Sequence, residues 1–260
     1  MQMMYQQVET PIKQQKVFGR NPTSPGNLMA VVSQPSNPLE SGIPVTVLIE
    51  PSSIADVKFR FFYPNSLEAS ICGHALLGAA QTIERAHFTV ETGAGVREVR
   101  KLGQQVLVNF GGVEEIQPNF TTPPPSTLFG IDPNQMTTRG IFSAGKPKLM
   151  VEVDTQATLS AVQFDLDALL AWNRDKNFSG YTLFTQRNNQ IYARATNPLY
   201  NIPEDAACAV CCAALPIPVT RNKRITVQMG YPEYANEIFV ETIDEQRWVG
   251  GNVFESNANA

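Results

Sequence analysis

The sequence predicts an α+β protein with two similar halves, each holding several short strands and one apolar helix. Short runs rich in β-branched and aromatic residues alternate with turn residues along the whole chain, which is typical of strands. Each half also contains one nearly uncharged run of small apolar residues, as expected of a helix buried on all sides. Residues 121–126 include three consecutive prolines, which cannot continue a helix or a central strand, and we place the boundary between the halves there.

The first half is predicted to contain strands on both sides of its helix. The Ala- and Leu-rich run that starts at Cys72 has no charged residue until its last turn, which favours a helix. The flanking runs are rich in valine, isoleucine, phenylalanine and threonine. We predict a helix at residues 72–85 and strands at residues 45–49, 58–62, 87–92, 96–101 and 105–110.

The second half repeats this arrangement. A second apolar helix is predicted to begin near Asp205 and to be stopped by Pro216 and Pro218. A more polar helix is predicted at residues 165–173. Strands are predicted at residues 148–153, 181–185, 190–195, 225–229, 237–242 and 248–254.

Composition narrows the class of protein. The chain has 260 residues, of which 43% are hydrophobic and 17% charged, and its formal net charge is −4. Lys and Arg are scattered, so we expect no binding of nucleic acid or of an anionic membrane. No apolar run approaches the roughly 18–20 residues of a membrane helix. The Gln-rich N-terminus lacks the architecture of a signal peptide, and we expect a cytoplasmic protein.

The four cysteines are candidate functional groups. Cys208, Cys211 and Cys212 crowd into five residues, so reduced thiols fit better than a disulfide framework. Cys72 and Cys208 each lie beside the start of an apolar helix. The N–H groups there stabilise a thiolate and bind carboxylates. If the two helices meet across a cleft, one thiolate can remove an α-proton while the opposite thiol returns another, with no metal or other cofactor.

Six segments resemble one known superfamily, in the same order along the chain. It contains diaminopimelate epimerase, proline racemase and the phenazine-biosynthesis isomerase PhzF, and PhzF-like proteins are the most similar. The segments are GNLMAVV at residues 26–32, FYPNSLE at 62–68 leading into CGHA at 72–75, SAGKP at 143–147, AR at 193–194 with IPEDAACA at 202–209, QMGY at 228–231 and VGG at 249–251.

The resemblance implies a diaminopimelate epimerase-like fold, in which each of two pseudo-symmetric domains wraps a curved, mostly antiparallel sheet around a central apolar helix. We expect domains at residues 1–118 and 127–245, with a strand at about residues 246–257 returning to the first. The implied function is that of a cofactor-independent amino-acid racemase or epimerase. The substrate is then a small carboxylate, no membrane or nucleic acid takes part, and a homodimer is plausible by family. The implied catalytic residues are Cys72, Cys208, His74 and Asp205, and those in contact with substrate are Asn27, Glu68, Gly73, Arg194, Ala209 and Val210.

Three departures from the PhzF pattern shape this expectation. The glutamate that PhzF-like isomerases carry is replaced by Ser41-Gly42-Ile43-Pro44-Val45-Thr46, which contains no carboxylate. Cys208 stands where those isomerases usually have threonine, and where the epimerases have their second cysteine. Ala209 and Val210 replace Gly and then Ser or Thr, which removes a hydroxyl and narrows the pocket.

Other roles for these residues remain open at this stage. A PhzF-type double-bond isomerase would use His74 and Asp205, and a binding protein could retain the cleft without catalysis. Asp205 could equally cap the second helix, and His74 could be a hydrogen-bonded core residue. Cys211 and Cys212 are expected to be small buried hydrophobes. A Cys208–Cys211 redox pair or metal site is the least favoured, because the chain has only two histidines.

Overall fold

A computed structural model describes residues 13–32, 43–63, 67–187, 190–217, 223–230, 232–233 and 236–256. Ser41 and Gly42, where the expected glutamate is missing, lie outside these ranges. So do Pro64, Asn65 and Ser66 of the first motif, Tyr231 of the fifth, and most of the N-terminal run.

The strands of the first half pair with the final strand of the chain to close a ring. The ring runs β1-β2-β3-β4-β6-β7-β8-β16, and β16 returns to pair with β1. Most neighbours are antiparallel, whereas β2–β3 and β4–β6 are parallel. A two-residue strand, β5, pairs with β4 outside the ring. The strands are β1 (Lys13–Val17), β2 (Asn27–Val32), β3 (Thr46–Glu50), β4 (Val57–Phe62), β5 (Glu68–Ala69), β6 (His87–Thr92), β7 (Gly95–Leu102), β8 (Gln105–Asn109) and β16 (Gln246–Glu255).

Helix α1 (Gly73–Gln81) packs against six strands of that ring, namely β1, β2, β3, β4, β8 and β16. Seven of its nine residues are buried, which agrees with the apolar composition of the run. The helix ends four residues before the predicted Arg85. Thr82 terminates it because its hydroxyl binds the Ala79 carbonyl at 2.8 Å, and Lys101 Nζ binds the carbonyl of Gln81 at 3.1 Å.

The second half continues the same sheet outward from β16 in the order β15, β14, β13, β12, β11, β10, β9. The β11–β12 and β13–β14 pairs are parallel, and the other pairs in this half are antiparallel. The strands are β9 (Glu114–Ile116), β10 (Met136–Ser143), β11 (Pro147–Val153), β12 (Tyr181–Arg187), β13 (Gln190–Thr196), β14 (Arg224–Met229) and β15 (Asn236–Ile243).

Three helices accompany these strands. Helix α2 (Gln156–Ala161) was not predicted, whereas α3 (Leu166–Asn173) was, and Asp165 caps α3 by accepting from the Ala168 amide at 3.0 Å. Helix α4 (Ala209–Ala213) is shorter than predicted. Its entry segment stays extended because the Asp205 amide donates to the carbonyl of Ala195. No helix in the described part of the chain is long and apolar enough to cross a membrane.

One hydrophobic core contains both apolar helices. Buried residues of α1 and α4 belong to a single cluster with side chains from both ends of the sheet. A second, aromatic cluster lies in the second half, around Phe129, Phe178 and Tyr181. The predicted mixture of strands and buried helices is thus confirmed, and the shared core brings the starts of α1 and α4 together.

Candidate active site

The starts of α1 and α4 are in direct contact. A Cβ atom built on Gly73 would lie only 2.6 Å from the Cβ of Ala209, so neither residue can be larger without moving a helix. Gly73 is therefore required for close approach of the two helices. Cys72 precedes Gly73 and Cys208 precedes Ala209, so both thiols lie beside this contact.

Cys72 is the N-cap residue of α1, and its side chain is buried beside His74. Its backbone is extended, with φ −135°, and its Sγ lies 3.6 Å from His74 Nδ1. Burial raises the pKa of the Cys72 thiol. The charge and hydrogen bond of His74 and the amide of Ala75 together lower that pKa by more than burial raises it. The net pKa of Cys72 is below that of an ordinary cysteine, which favours a thiolate.

His74 has the complementary shift. Burial lowers the pKa of its ring, and the Cys72 thiolate and Asp205 raise it to a net value above the ordinary one. A hydrogen bond with the backbone of Leu28 also raises the pKa of His74. The opposite pKa shifts of Cys72 and His74 thus favour a thiolate beside an imidazolium.

Cys208 occupies the corresponding position on α4 but has different neighbours. Its backbone is also extended, with φ −119°, and its Sγ accepts from the Cys211 amide at 3.4 Å. Its own amide donates to Met229 Sδ at 3.0 Å. The hydrogen bond with Cys211, burial and the charges of Cys211 and Asp205 raise the pKa of Cys208 well above its ordinary value. This shift favours the thiol form of Cys208.

Cys211 and Lys148 belong to this side of the site, and sequence reasoning missed both. The hydrogen bond with Cys208 lowers the pKa of Cys211 despite burial, and the ammonium of Lys148 lowers it further. Cys211 is buried, as predicted, and its lowered pKa adds it to the titratable groups of the site. Only the Cys208-x-x-Cys211 spacing hinted at the pair. Cys212 fits the prediction, because it is buried and donates to Met229 Sδ at 3.7 Å.

Asp205 and Tyr63 lie close to both thiols. The Asp205 carboxylate raises the pKa of Cys72 and of Cys208, and its Oδ1 accepts from the Ala207 amide at 3.2 Å. Burial first, and then Cys72, Asp205 and Cys208, raise the pKa of the Tyr63 hydroxyl, which stays protonated. Tyr63 was missed, although it lies in the segment that leads into Cys72.

Several predicted substrate contacts also gather here. Asn27, on β2, donates to the Ala207 carbonyl at 2.9 Å and so ties the first half to the segment preceding Cys208. The amides of Gly73 and His74 have no hydrogen-bond acceptor among the described residues, and neither do those of Ala209 and Val210. These four N–H groups belong to the first turns of the two touching helices.

Glu68 and Arg194 each have a charged partner within the protein. Glu68 is exposed and forms a two-point ion pair with Arg60, at 2.8 and 2.7 Å. Arg194 binds Glu204 at 2.9 and 2.8 Å, and its Nη1 donates to carbonyls of the last turn of α2, with the Val162 carbonyl at 2.8 Å. Their predicted contact with substrate stays a prediction.

Two cavities lie away from the cysteines. One of about 600 Å³ is lined by Asp154, Thr155 and Arg187 among others, and one of about 380 Å³ by Gln15, Gln81 and Glu255 among others. Neither contains a thiol. The displaced pKa values of the groups beside α1 and α4 are a stronger indication of chemistry than the size of either cavity. Within the described ranges, no group of three or more His, Cys, Asp or Glu residues could hold a metal ion.

A model of one protein family matches residues 39–231, about three quarters of the chain. By this match the protein is an enzyme of the isomerase and epimerase class. The chain belongs to the PhzC-PhzF family, described as phenazine biosynthesis-like protein, and the resemblance seen in the sequence is confirmed. No curated protein sequence matches it.

Solved structures show that this family's fold extends over 95% of the chain. A PhzF-family phenazine biosynthesis protein from Bacillus anthracis is 16% identical, with a TM-score of 0.73 over 95% of this chain and 96% of that one. A predicted epimerase from Pseudomonas aeruginosa is 19% identical, with a TM-score of 0.71 over 95% and 96%. A hydroxyproline epimerase from Agrobacterium vitis is 12% identical, with a TM-score of 0.62 over 95% and 90%.

Proposed function

We propose that this enzyme racemises or epimerises an amino acid or a related small carboxylate by proton transfer between Cys72 and Cys208, without a cofactor. One observation supports the proposal above all. The two thiols lie at touching helix starts and their pKa values are displaced in opposite directions, that of Cys72 downward and that of Cys208 upward. A two-base racemase needs this state at rest, with one base free and one acid loaded.

The proposed reaction moves one proton on each side of the substrate. The Cys72 thiolate removes the α-proton, and the Cys208 thiol delivers its proton to the opposite face. The amides of Gly73, His74, Ala209 and Val210 bind the substrate carboxylate and the negative charge that develops on it. His74 stabilises the starting thiolate, and Asp205 disfavours early loss of the Cys208 proton.

The scaffold fits a two-domain arrangement, which we include in the proposal. The domains comprise residues 1–118 with the C-terminal strand, and residues 127–245, with α1 and α4 as their central helices. The closed strand ring around α1 supports this division. The proposed reaction requires neither Glu68 nor Arg194, because Glu68 forms an ion pair with Arg60 and Arg194 forms one with Glu204.

A double-bond isomerase that uses His74 and Asp205 is a second candidate. Family membership favours it, and so does the position of Asp205, which raises the pKa of His74. An imidazolium paired with a nearby carboxylate can shuttle a proton between two carbons on one face of a substrate. In that case Cys208 would be dispensable.

Hydrogen–deuterium exchange at the α-carbon tests the proposal. The reduced protein is incubated in heavy water with both enantiomers of a panel of amino acids and related acids, and each α-proton is followed by NMR. The panel includes proline and trans-4-OH-L-proline, because the A. vitis structure contains the latter. Cys72→Ser and Cys208→Ser are each expected to reduce racemisation at least about 100-fold, because a serine hydroxyl is too weak an acid to replace a thiol.

Cys212→Ala is the matched control, because Cys212 lies on the same helix as Cys211 and its thiol donates a hydrogen bond to Met229 Sδ. It should leave exchange intact. Exchange that survives Cys208→Ser but is lost in His74→Gln and Asp205→Asn would favour proton transfer by His74 and Asp205, as in the double-bond isomerase, over the two-thiol reaction. If the folded wild-type protein exchanges no α-proton across the panel, the racemase proposal is wrong.

A further inference from the structure

Met229, the last residue of β14, accepts two hydrogen bonds from α4 and its N-cap residue. Its side chain is fully buried in the core that contains both apolar helices. The Cys208 amide donates to Met229 Sδ at 3.0 Å, and the Cys212 thiol donates to the same atom at 3.7 Å. A thioether is a weak acceptor that usually only fills space in a core. Here it is also the acceptor for the amide of the proposed catalytic acid.

The Cys208 amide has no other acceptor among the described residues. An N-cap amide lies outside the hydrogen-bonding pattern of its own helix and needs a partner from elsewhere. Half of a capping box is present, because Cys208 Sγ accepts from the Cys211 amide at 3.4 Å. The other half is normally supplied by the side chain three positions after the N-cap, and here Met229 supplies it from a separate strand.

The peptide between Ala207 and Cys208 is held at both of its polar atoms. Its carbonyl oxygen accepts from Asn27 Nδ2 at 2.9 Å, and its N–H donates to Met229 Sδ. Asn27 belongs to the strand ring around α1, whereas Met229 belongs to the second half of the sheet. Because a peptide is planar, bonds to its oxygen and to its N–H together fix its rotation. The direction in which Cys208 projects its side chain is thereby fixed relative to both halves.

We propose that Met229 is a positioning residue, which sets the orientation of the Ala207–Cys208 peptide, and so the position of Cys208 Sγ, by accepting from the Cys208 amide. This inference rests on the proposed two-thiol function. Met229 is fully buried and acts only through Cys208. Proton transfer requires the thiol to be in line with the α-carbon, and a displacement of about 1 Å can lower the rate about 100-fold.

The first test is made without substrate, by NMR of the reduced full-length protein labelled with ¹⁵N at cysteine. The four cysteines give four backbone amide signals, and replacing each cysteine in turn with serine assigns them. Met229→Leu keeps an apolar side chain of similar volume and removes the acceptor. The Cys208 amide proton should then move to lower frequency and exchange with solvent about 3- to 10-fold faster. The Cys72 amide should keep its position and its exchange rate.

Met150→Leu is the matched control. Met150 is also a fully buried methionine of the same core, and its sulfur accepts no hydrogen bond within the described ranges. Its replacement should leave the Cys208 amide as in the wild type. Met229→Gln is the rescue variant, because its side-chain carbonyl can accept in place of the sulfur. It should return the Cys208 amide toward its wild-type frequency and exchange rate.

The second test uses the substrate that α-proton exchange identifies. In folded Met229→Leu, kcat for racemisation should fall about 10- to 100-fold, because the thiol is misaligned in the transition state. KM should stay within about twofold, because the amides that bind the carboxylate remain. Met150→Leu should keep the wild-type kcat.

An unshifted Cys208 amide in folded Met229→Leu, or an unchanged kcat in that variant, would overturn the inference. If Met229→Leu does not fold, the wild-type protein still decides, because a Cys208 amide that exchanges as fast as an unprotected one would overturn it equally. If the wild type exchanges no α-proton, the racemase proposal fails separately. The NMR signal of the Cys208 amide then still shows whether Met229 holds this peptide.

Discussion

The two helix starts place a cysteine in the same backbone position and give it opposite acidity. Cys72 and Cys208 are both extended N-cap residues near the same carboxylate, Asp205, and Cys72 is buried whereas Cys208 is half-buried. The pKa of Cys72 is nevertheless lowered and that of Cys208 raised. A position at the start of a helix therefore does not by itself decide whether a thiol is ionised. The charged or acidic group nearest to the thiol decides it.

The contrast follows from one side chain on each helix. Cys72 has the imidazole of His74 two residues later, a cation that stabilises the thiolate directly. Cys208 has the thiol of Cys211 three residues later, an acid that competes with it for one negative charge. The ammonium of Lys148 lowers the pKa of both Cys208 and Cys211. A proton-transfer site with one base and one acid follows from this difference.

Replacing His74 should have the largest effect on this contrast. In His74→Gln, Cys72 loses the cation beside it, and its alkylation midpoint should rise by about 1–3 pH units. The midpoint of Cys208 should hardly move, because His74 is not among the groups that set it. Equal shifts of both cysteines would mean that the two sides are not independent. Cysteine-resolved alkylation across pH measures this.

The contact between the helices can be broken with a single methyl group. Gly73→Ala places a Cβ 2.6 Å from that of Ala209, and overpacking of this kind should cost about 1–3 kcal/mol in the free energy of unfolding. Adding Ala209→Gly should recover part of the loss, because it removes the opposing methyl. Gly112→Ala is the control, since a Cβ there meets nothing within 4 Å. Urea denaturation measures all four proteins, and an unrecovered double variant would argue against direct contact.

The opposite pKa shifts give Cys208 and Cys72 different effects on the pH dependence of stability. Above about pH 9, the unfolded chain loses the proton that folded Cys208 retains, so unfolding is favoured by about 1.4 kcal/mol per pH unit from this group. Cys72 gives almost no slope between about pH 6.5 and 9, because the folded chain holds one proton on His74 there while the unfolded chain holds one on the thiol instead.

Urea denaturation between pH 7 and 10 under reducing conditions measures these dependences. Cys208→Ala should flatten the loss of stability at the alkaline end, and Cys72→Ala should hardly change the slope between pH 7 and 9. Other buried acids, among them Cys212 and Tyr181, also have raised pKa values and should leave an alkaline slope in every variant. Variants with identical profiles would contradict the assigned directions.

The smallest effect is expected at Glu68, which lies on the Cys72 side of the molecule but apart from the thiols. Its ion pair with Arg60 is exposed, so Glu68→Gln should change the free energy of unfolding by about 0–1 kcal/mol. It should leave α-proton exchange unchanged. A large loss of exchange in this variant would restore Glu68 as a substrate contact and would enlarge the site beyond the two helix starts.

Much of the secondary structure could be predicted from short segments of the sequence. The spacing of apolar residues predicted most strands and the first helix, and the cysteines were expected at two apolar helix starts. Helix α2 was missed because its six residues carry no apolar periodicity, and Thr155 caps it in a way that only the folded backbone shows. Helix α4 was predicted too long because composition cannot show that Asp205 remains paired with the Ala195 carbonyl in an extended segment.

The features of the site likewise fall into those that short segments predict and those that depend on the fold. Residue types and spacing within short segments were enough to identify the family, the mixture of strands and buried helices, and the candidate thiols. The folded structure was needed to show that Gly73 meets Ala209, that Asn27 binds the Ala207 carbonyl, and that Glu68 and Arg194 have charged partners. These pairs are far apart along the chain and are joined by the sheet, and the pKa of a thiol depends on the charges around it in space.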